Sequence, residues 1–279
     1  MIKAAKKLSS QSASFIAPVL FLFTLSTACG TSNPSSSDVK VTNGVAISEN
    51  VFPSAVLLML ETPEGQGLCT GTFVNDSQVV TAGHCVEGLS AKNPSVFYST
   101  KINGELTPLA QAVSFKRNPR YSIELGVNPN DVAVINFPAG TAPATTPIAS
   151  QTPRVGTEFT IVGYGNNANY NNASGLLEGS GAGVKRQGRN TLEAIDNNML
   201  SFVGLTGKET KSTYAKGELV ASGEGDSGGP MFVAGKLVGV TSGGGLVKAD
   251  DGVTDIAISF YVDLNNAVNK AFLATVINE

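Results

Sequence analysis

The feature that most constrains the fold is a series of short Val-, Thr-, Ile- and Phe-rich runs separated by Gly, Asn or Pro. β-Branched and aromatic residues favour strands, whereas Gly, Asn and Pro favour turns. The chain has 279 residues with 31 Gly and 13 Pro, and extended helical periodicity is absent until about its last fifteen residues. The sequence therefore predicts an all-β protein with a C-terminal helix.

The predicted strands form two sets, separated by an Ala-, Thr- and Pro-rich crossover at 138–153. The first set is Ser54–Leu60, Gly71–Val74, Gln78–Ala82, Val96–Tyr98, Ala110–Phe115 and Val132–Phe137. The second set is Glu158–Tyr164, Gly183–Leu192, Met199–Phe202, Glu218–Ala221, Met231–Val233, Lys236–Thr241 and Ala257–Val262. Asn166–Asn172 is predicted to be a surface loop. Apolar residues recur at helical spacing after Asp263, which is the predicted N-cap.

Charge argues against nucleic acid as a partner. The net charge is −3, and residues 41–279 carry 15 basic and 21 acidic groups, or −6. The sequence contains no basic stripe of the kind that binds phosphate backbones.

The N-terminal segment resembles an export signal. Lys3, Lys6 and Lys7 precede an apolar stretch of eleven residues, Phe15–Leu25, interrupted by Pro18. Such a stretch is shorter than the roughly 20 residues that a membrane-spanning helix needs. We therefore expect residues 1–29 to direct export to the periplasm, the outer membrane or the extracellular medium. Residues 30–40 are polar and turn-rich, which predicts a flexible tether or propeptide.

The chain has three cysteines, an odd number for an exported protein. Cys69 and Cys85 are sixteen residues apart and flank a β-like segment, so a disulfide between them suits an oxidising compartment. Cys29 follows small residues just past the apolar stretch, and this pattern resembles a bacterial lipoprotein cleavage box. The alternatives are lipidation of Cys29, which would anchor the chain to a membrane, and ordinary signal cleavage.

Three separated segments carry the residues of nucleophilic catalysis. His84, the only histidine, lies in Thr-Ala-Gly-His-Cys (81–85), and Ser227 lies in Gly-Asp-Ser-Gly-Gly-Pro (225–230). Asp131 opens an apolar run between them. A serine hydroxyl needs a base to remove its proton, and a carboxylate can orient that base.

These motifs and their order resemble the trypsin-like (chymotrypsin-fold) serine peptidases over essentially all of residues 41–279. Gly163-Tyr164-Gly165 is similar to the family's Gly-Trp-Gly turn, and the separations His84–Asp131 and Asp131–Ser227 are close to family values. The resemblance implies two six-stranded antiparallel β-barrels, at 41–150 and 151–262, followed by a helix at 263–279. It also implies a serine endopeptidase that forms an acyl-enzyme.

The resemblance assigns roles residue by residue. His84, Asp131 and Ser227 would form the catalytic triad, with the backbone N–H groups of Gly225 and Ser227 as oxyanion hole. Val41-Thr42-Asn43-Gly44 is similar to the start of the mature family chain, although the family prefers Gly where Asn43 stands. Cleavage after Lys40 would free the Val41 ammonium to insert beside Asp226 and activate a zymogen.

The substrate-binding residues follow from the same resemblance, namely Ala221, Ser222, Glu224, Ser242, Gly243, Gly244 and Ser259. Ala221 offers no acid to pair Lys or Arg, so we expect a small or medium uncharged P1 residue, the residue on the acyl side of the scissile bond. The expected partners are a polypeptide substrate and an activating protease, and the chain is expected to be a monomer without cofactor or metal. The alternatives are a catalytically silent homologue that acts as a binding protein, and an esterase or self-processing protein with the same triad.

Overall fold

The computed structural model describes residues 41–62, 65–102, 104–122, 128–171, 177–207, 214–252 and 254–277. The predicted export signal, Cys29 and Lys40 therefore lie outside the described residues. Strands make up 47% of the chain and form two curled sheets followed by a short helix, which confirms the predicted fold class of a chymotrypsin-like double barrel.

Seventeen strands and one α-helix occupy the described residues. In chain order they are β1 (Val45–Ala46), β2 (Ala55–Thr62), β3 (Gly65–Phe73), β4 (Gln78–Thr81), β5 (Val96–Ile102), β6 (Glu105–Gln111), β7 (Ser114–Arg117), β8 (Ala133–Asn136), β9 (Glu158–Gly163), β10 (Ala168–Asn171), β11 (Leu177–Ser180), β12 (Arg186–Thr191), β13 (Ala194–Asp196), β14 (Met199–Gly204), β15 (Pro230–Val233), β16 (Lys236–Lys248), β17 (Asp255–Asp263) and α1 (Ala267–Val276).

The first sheet has the strand order β6-β5-β2-β3-β4-β8-β7. Only Ala112 and Val113 separate β6 at one edge from β7 at the other. Ala112 N–H donates to Val96 O and Val113 N–H donates to Asn136 O, both at 2.8 Å. One continuous segment therefore pairs with both edges and closes the barrel. Counted as one strand, it gives the six expected strands.

The second sheet has the order β1-β12-β9-β15-β16-β17-β14-β13. The two-residue β1 and the three-residue β13 extend its edges beyond the six expected strands. The Asn190 side chain on β12 donates from Nδ2 to Val203 O on β14, at 2.8 Å. This hydrogen bond joins strands near opposite edges, so the sheet curls toward closure. β10 and β11 pair as a separate hairpin.

The strand before His84, β4, and the strand after Asp131, β8, are buried on both faces. On β4, Val79 packs in the core of the first sheet, whereas Val80 packs in a second cluster shared with β9 and β15–β17. On β8, likewise, Ile135 packs in the core of the first sheet and Val134 packs in the shared cluster. Adjacent strand residues point to opposite faces, so burial of both explains these near-continuous apolar runs. The two strands are thus fixed supports for the segments that follow or precede them.

Three local predictions are wrong. Glu218–Ala221 is not a strand: it forms isolated bridges only, and Leu219 has φ +49°, which interrupts extended backbone. The predicted strand at Ala110–Phe115 is divided between β6 and β7 because the chain changes edge there. The predicted loop at Asn166–Asn172 contains β10, whose backbone pairs with β11 despite the asparagine-rich composition.

The C-terminal helix is present, but its N-cap is Asn266 and not Asp263. Asn266 Oδ1 accepts from the N–H groups of Val268 and Asn269, each at 3.0 Å, and so satisfies two donors of the first turn. Asp263 instead ends β17. None of the helical segments in the described part of the chain is long and apolar enough to span a membrane.

Candidate active site

His84 lies at the start of a one-turn 3₁₀ segment, His84–Val86, three residues after β4. Its ring Nδ1 is 2.8 Å from Asp131 Oδ2, and its backbone N–H donates to Asp131 Oδ1 at 2.8 Å. One carboxylate thus holds both the backbone and the ring of His84. With Nδ1 directed at the carboxylate, Nε2 is the nitrogen left to exchange a proton with another group.

Asp131 is 2% exposed and lies two residues before β8. Its Oδ2 also accepts from Ser242 Oγ at 2.7 Å, so three hydrogen bonds stabilise the buried charge. A Cβ on Gly83 would come within 3.2 Å of Asp131 Oδ1, which explains why glycine precedes His84. The sequence did not predict the hydrogen bond from Ser242, because the two residues are 111 positions apart and no motif joins them.

A disulfide joins Cys69 on β3 to Cys85, the residue after His84. It confirms the predicted pair and ties the 3₁₀ segment to the neighbouring strand. Both sulfur atoms lie close to the His84 ring. Because the disulfide consumes both thiolates, this cluster offers a metal ion no ligand other than the imidazole.

Ser227 lies in a turn whose flanking glycines, Gly225 and Gly228, have φ +93° and +74°. These angles are accessible to glycine and costly for other residues. The Ser227 carbonyl accepts from Thr70 N–H at 2.8 Å, and Cys85 Sγ lies 3.7 Å from the same oxygen. The serine segment of the second barrel therefore packs directly on the strand and disulfide that support His84.

Asp226 is buried beside Ser227, and its carboxylate accepts from Gly165 N–H and Gly223 N–H, each at 2.8 Å. Burial raises its pKa to about 6, and the two N–H groups and the Arg186 cation oppose the rise. A Cβ on Gly163 would lie 2.0 Å from Asp226 Oδ1. The glycines on either side of Tyr164 thus leave the space that this carboxylate occupies.

The predicted mature N-terminus packs near the loop at 221–223, whose Gly223 N–H donates to the Asp226 carboxylate. Val41 is 1% exposed, and Thr42 forms an antiparallel bridge with Ala221, with Thr42 N–H donating to Ala221 O at 3.1 Å. Asn43 has φ +59° and its Nδ2 donates to Glu218 O at 2.7 Å. Asparagine tolerates this left-handed conformation, which accounts for its presence where the family prefers glycine.

A small cavity of about 140 Å³ opens beside Ser227. Four predicted substrate-binding residues line it, namely Ser222, Glu224, Gly243 and Gly244. Ser259 is fully buried and accepts from Ser222 N–H at 2.9 Å, while the two hydroxyl oxygens are 3.0 Å apart. Ala221 is also fully buried. A larger, more open groove between residues 116–120 and α1 shares no residue with this cavity.

A buried polar cluster next to the site was missed in the sequence. Lys185 is 1% exposed and donates from Nζ to Glu49 O at 3.2 Å and Phe52 O at 2.9 Å. Tyr164, which stands where the family has tryptophan, donates its hydroxyl to Glu49. Burial lowers the pKa of Lys185 to about 8, and the Glu49 carboxylate opposes that shift. The sequence feature that could have indicated this cluster is the pair of adjacent cations, Lys185 and Arg186, inside a predicted strand.

A histidine held by a buried aspartate, and a glycine-flanked serine whose carbonyl contacts the disulfide beside that histidine, both lie where two curled sheets meet. The family model described as Trypsin matches residues 41–269. The chain therefore belongs to the trypsin family of serine proteases.

Three curated relatives illustrate the similarity. The chain is 27% identical to trypsin alpha-4 of Lucilia cuprina, covering 81% of this chain and 87% of the relative. It is 28% identical to serine protease 1 of Homo sapiens, covering 76% and 81%. It is 27% identical to a trypsin of Saccharopolyspora erythraea, covering 70% and 83%. The similarity thus extends over most of each protein.

Proposed function

We propose that this chain is a competent serine endopeptidase whose triad is His84, Asp131 and Ser227. The observation that carries the proposal is the double hold of Asp131 on His84, through the ring Nδ1 and the backbone N–H. A carboxylate in this position fixes the tautomer and stabilises the imidazolium formed during reaction. A histidine retained only for packing would not need both contacts.

The reaction proceeds through an acyl-enzyme. Ser227 Oγ attacks the scissile carbonyl carbon while His84 Nε2 takes the hydroxyl proton. The carbonyl oxygen becomes an oxyanion, and the N–H groups of Gly225 and Ser227 donate to it. The C–N bond then breaks as His84 gives its proton to the leaving amine. Water, deprotonated by His84, attacks the carbonyl carbon of the Ser227 ester; the bond to Ser227 Oγ then breaks as His84 returns the proton to that oxygen, which releases the acid product and the free serine. Loss of one oxyanion donor typically costs about 3–4 kcal/mol of transition-state stabilisation.

The substrate is a polypeptide with a small or medium uncharged P1 residue. The cavity of about 140 Å³ is lined by glycines, by Ser222 and Ser227, and by Thr241 and Glu224, and Ser222 is hydrogen-bonded to the buried Ser259. Ala221 supplies no carboxylate for Lys or Arg. A cleavage profile on a peptide library tests this; a preference for Lys or Arg at P1 would contradict it.

The chain is made as a zymogen that is cut after Lys40. The new Val41 ammonium would pair with Asp226, whose burial without a full positive partner raises its pKa to about 6. Because an uncompensated buried carboxylate is costly, the ammonium would favour the ordered serine loop. Export and lipidation at Cys29 place the uncut chain on a membrane. Since Cys69 and Cys85 pair with each other, no disulfide holds the tether, and the cut would also release the enzyme.

An active-site fluorophosphonate probe tests the proposal. We expect labelling of the chain cut at Lys40-Val41 and none of the Ser227→Ala variant cut in the same way. Much weaker labelling is expected for a Lys40→Gln variant that resists the cut. Absence of labelling in the cut wild-type chain would favour a silent homologue that acts as a binding protein. Membrane fractionation before and after the cut tests the release step.

A further inference from the structure

Arg186 is the largest of the fully buried side chains in the described part of the chain, with 1% of its surface exposed. A guanidinium stays protonated in proteins, so the second sheet holds a positive charge in its interior. Removal of a charge from water is costly unless an anion or several hydrogen bonds compensate it. The catalytic steps described above give this buried cation no role, and its position in the fold indicates one.

The register of β9 and β12 places Arg186 beside Asp226. Arg186 is the cross-strand partner of Gly163, and a Cβ on Gly163 would lie 2.0 Å from Asp226 Oδ1. The Cβ atoms of directly paired residues lie on the same face of a sheet, about 5 Å apart. The Arg186 side chain therefore begins no more than about 7 Å from the carboxylate oxygen, a distance that an arginine spans.

The guanidinium is directed toward the same carboxylate. Arg186 Nη1 donates to Val184 O, and the N–H of the preceding Gly183 donates to Tyr164 O at 2.7 Å. Tyr164 lies between the two glycines that leave space for Asp226. Burial raises the pKa of Asp226, and the Arg186 charge is among the groups that oppose the rise. Arg186 thus supplies a positive charge to this buried carboxylate from within the sheet.

Asp226 in turn supports one of the two proposed oxyanion donors. Its Oδ1 accepts from Gly165 N–H at 2.8 Å, and the next N–H, that of Asn166, donates to Glu224 O at 2.6 Å. A trans peptide directs its C=O and its N–H in opposite directions. The hydrogen bond to Glu224 O therefore sets the direction of the Gly225 N–H. A carboxylate that stays in place keeps this donor in place.

The segment after the predicted cut site is already docked in the intact chain. Val41 packs with Ile161 and Val220 in one buried cluster. Thr42 Oγ1 donates to Ala221 O at 3.0 Å and accepts from Ala221 N–H at 2.9 Å. The cut therefore changes the charge at the start of this segment without having to build its contacts.

We propose that Arg186 is a positioning residue that holds the Asp226 carboxylate in place before the chain is cut, so that the uncut protein keeps a low peptidase activity. The inference rests on the proposed function and extends it to the uncut chain. Cleavage after Lys40 adds a second positive charge, the Val41 ammonium, to a carboxylate that already has one nearby. The cut raises an existing activity and does not create it.

The uncut variant Lys40→Gln tests the inference without any change in the core. We expect a fluorophosphonate probe to label it slowly, but clearly faster than Lys40→Gln combined with Ser227→Ala. Labelling no faster than that of the double variant would overturn the inference. The cut wild-type chain separates the two ideas, because its labelling does not depend on activity before the cut. A cut chain that labels beside a silent uncut chain leaves the proposed function intact and removes the role of Arg186.

Arg186→Lys and Arg186→Met separate charge from packing. Both remove the guanidinium, but only Arg186→Lys keeps a positive charge. An opposite charge near a carboxylate typically shifts its ionisation equilibrium by about tenfold to thousandfold. With Lys40→Gln present, we therefore expect Arg186→Met to label roughly tenfold or more slowly than Arg186→Lys. In chains that keep Lys40 and are cut, the Val41 ammonium already favours the ordered loop, and we expect the two variants to differ by less than roughly threefold.

Lys185→Met is the matched control. Lys185 is the adjacent buried cation, but its Nζ lies 3.7 Å from Glu49 Oε2. We expect this variant to change the labelling of uncut and cut chains by the same factor. Equal labelling of Arg186→Lys and Arg186→Met before the cut, or the same ratio before and after it, would overturn the inference. Urea unfolding checks that each variant folds. If neither Arg186 variant folds, the labelling rate of Lys40→Gln alone decides.

Discussion

Asn269 of the C-terminal helix donates from Nδ2 to the carbonyl oxygen of Pro129, two residues before Asp131, at 2.8 Å. Asn269 is fully buried; its Nδ2 also donates to Asp263 O, and its Oδ1 accepts from Asn118 Nδ2. The helix that ends the chain thus restrains the turn that leads into Asp131.

We expect Asn269→Ala to reduce turnover as well as stability. The substitution removes the acceptor of Asn118 Nδ2 and the donor to the Pro129 carbonyl, at a cost of about 1–3 kcal/mol for a group left unsatisfied. Release of the turn before Asp131 should misplace His84, and displacements near 1 Å can cost about 10²-fold in rate. Unfolding by urea measures the stability, and steady-state kinetics with a peptide substrate measure kcat and KM separately.

Gln78→Ala is the matched control. Gln78 is 2% exposed, and its Nε2 donates to Val276 O at 2.9 Å, so it also ties the first barrel to the helix. Its other acceptor is Asn136 Oδ1 at the far end of β8 from Asp131. We expect a similar loss of stability with kcat retained. An equal fall in kcat for both variants would mean that Asn269 acts through helix docking alone.

Gly163→Ala should abolish activity by displacing Asp226. The added Cβ would lie 2.0 Å from Asp226 Oδ1, closer than any real contact, so the carboxylate must leave its place beside the serine turn. We expect probe labelling to fall by at least about 10²-fold, since the oxyanion donors lose their geometry. Gly67→Ala is the control, because its Cβ would meet Leu60 at an ordinary 3.7 Å. Normal labelling of Gly163→Ala would contradict the conclusion that glycine at this position leaves the space for the Asp226 carboxylate.

The sequence predicted those features that depend on local pattern. The strands around His84 and Asp131 were predictable because burial on both faces produces apolar runs, and the Cys69–Cys85 disulfide was predictable from context. The motifs also placed Ser222, Glu224, Gly243 and Gly244 at one cavity. These features arise from neighbours in sequence or from motifs whose members recur together.

Features that depend on long-range packing were not predictable. Asn269 is 140 residues from Pro129, and a buried asparagine within a helix has no pattern that names its acceptor. The N-cap was misplaced because Asp263 and Asn266 both have capping side chains, and the length of β17 decides between them. The predicted strand at Glu218–Ala221 was wrong because Leu219 has a positive φ, which the sequence does not indicate for a leucine.

The pKa of Asp226 predicts how stability varies with pH in the uncut chain. Its folded value of about 6 exceeds the ordinary 3.8, so the folded state holds this proton more tightly than the unfolded state. The stabilisation is complete below about pH 3.8 and is lost as the pH rises through 6. At about 1.4 kcal/mol per pKa unit, the loss is about 3 kcal/mol. Urea unfolding of Lys40→Gln between pH 4 and 7 measures it.

The matched variant is Lys40→Gln combined with Asp226→Asn, which cannot ionise at this position. The difference in unfolding free energy between the two proteins isolates Asp226 from the other titrating groups. We expect this difference to decline by about 3 kcal/mol toward pH 7. A difference that stays constant across the range would show that Asp226 has an ordinary pKa when the chain is intact.

Removal of the Cys69–Cys85 disulfide should lower both stability and catalytic rate. The bond closes a loop of about 16 residues. A disulfide that closes a loop of this length raises the free energy of unfolding by about 3 kcal/mol, because it restricts the unfolded chain. Because Cys85 follows His84, its release also loosens the base. We therefore expect the double variant Cys69→Ala, Cys85→Ala to unfold at lower urea concentration and to have a reduced kcat. Cys29→Ala leaves the bond intact and should match the wild-type domain in both measurements. A double variant with lower stability but unchanged kcat would show that β4 and Asp131 alone position His84.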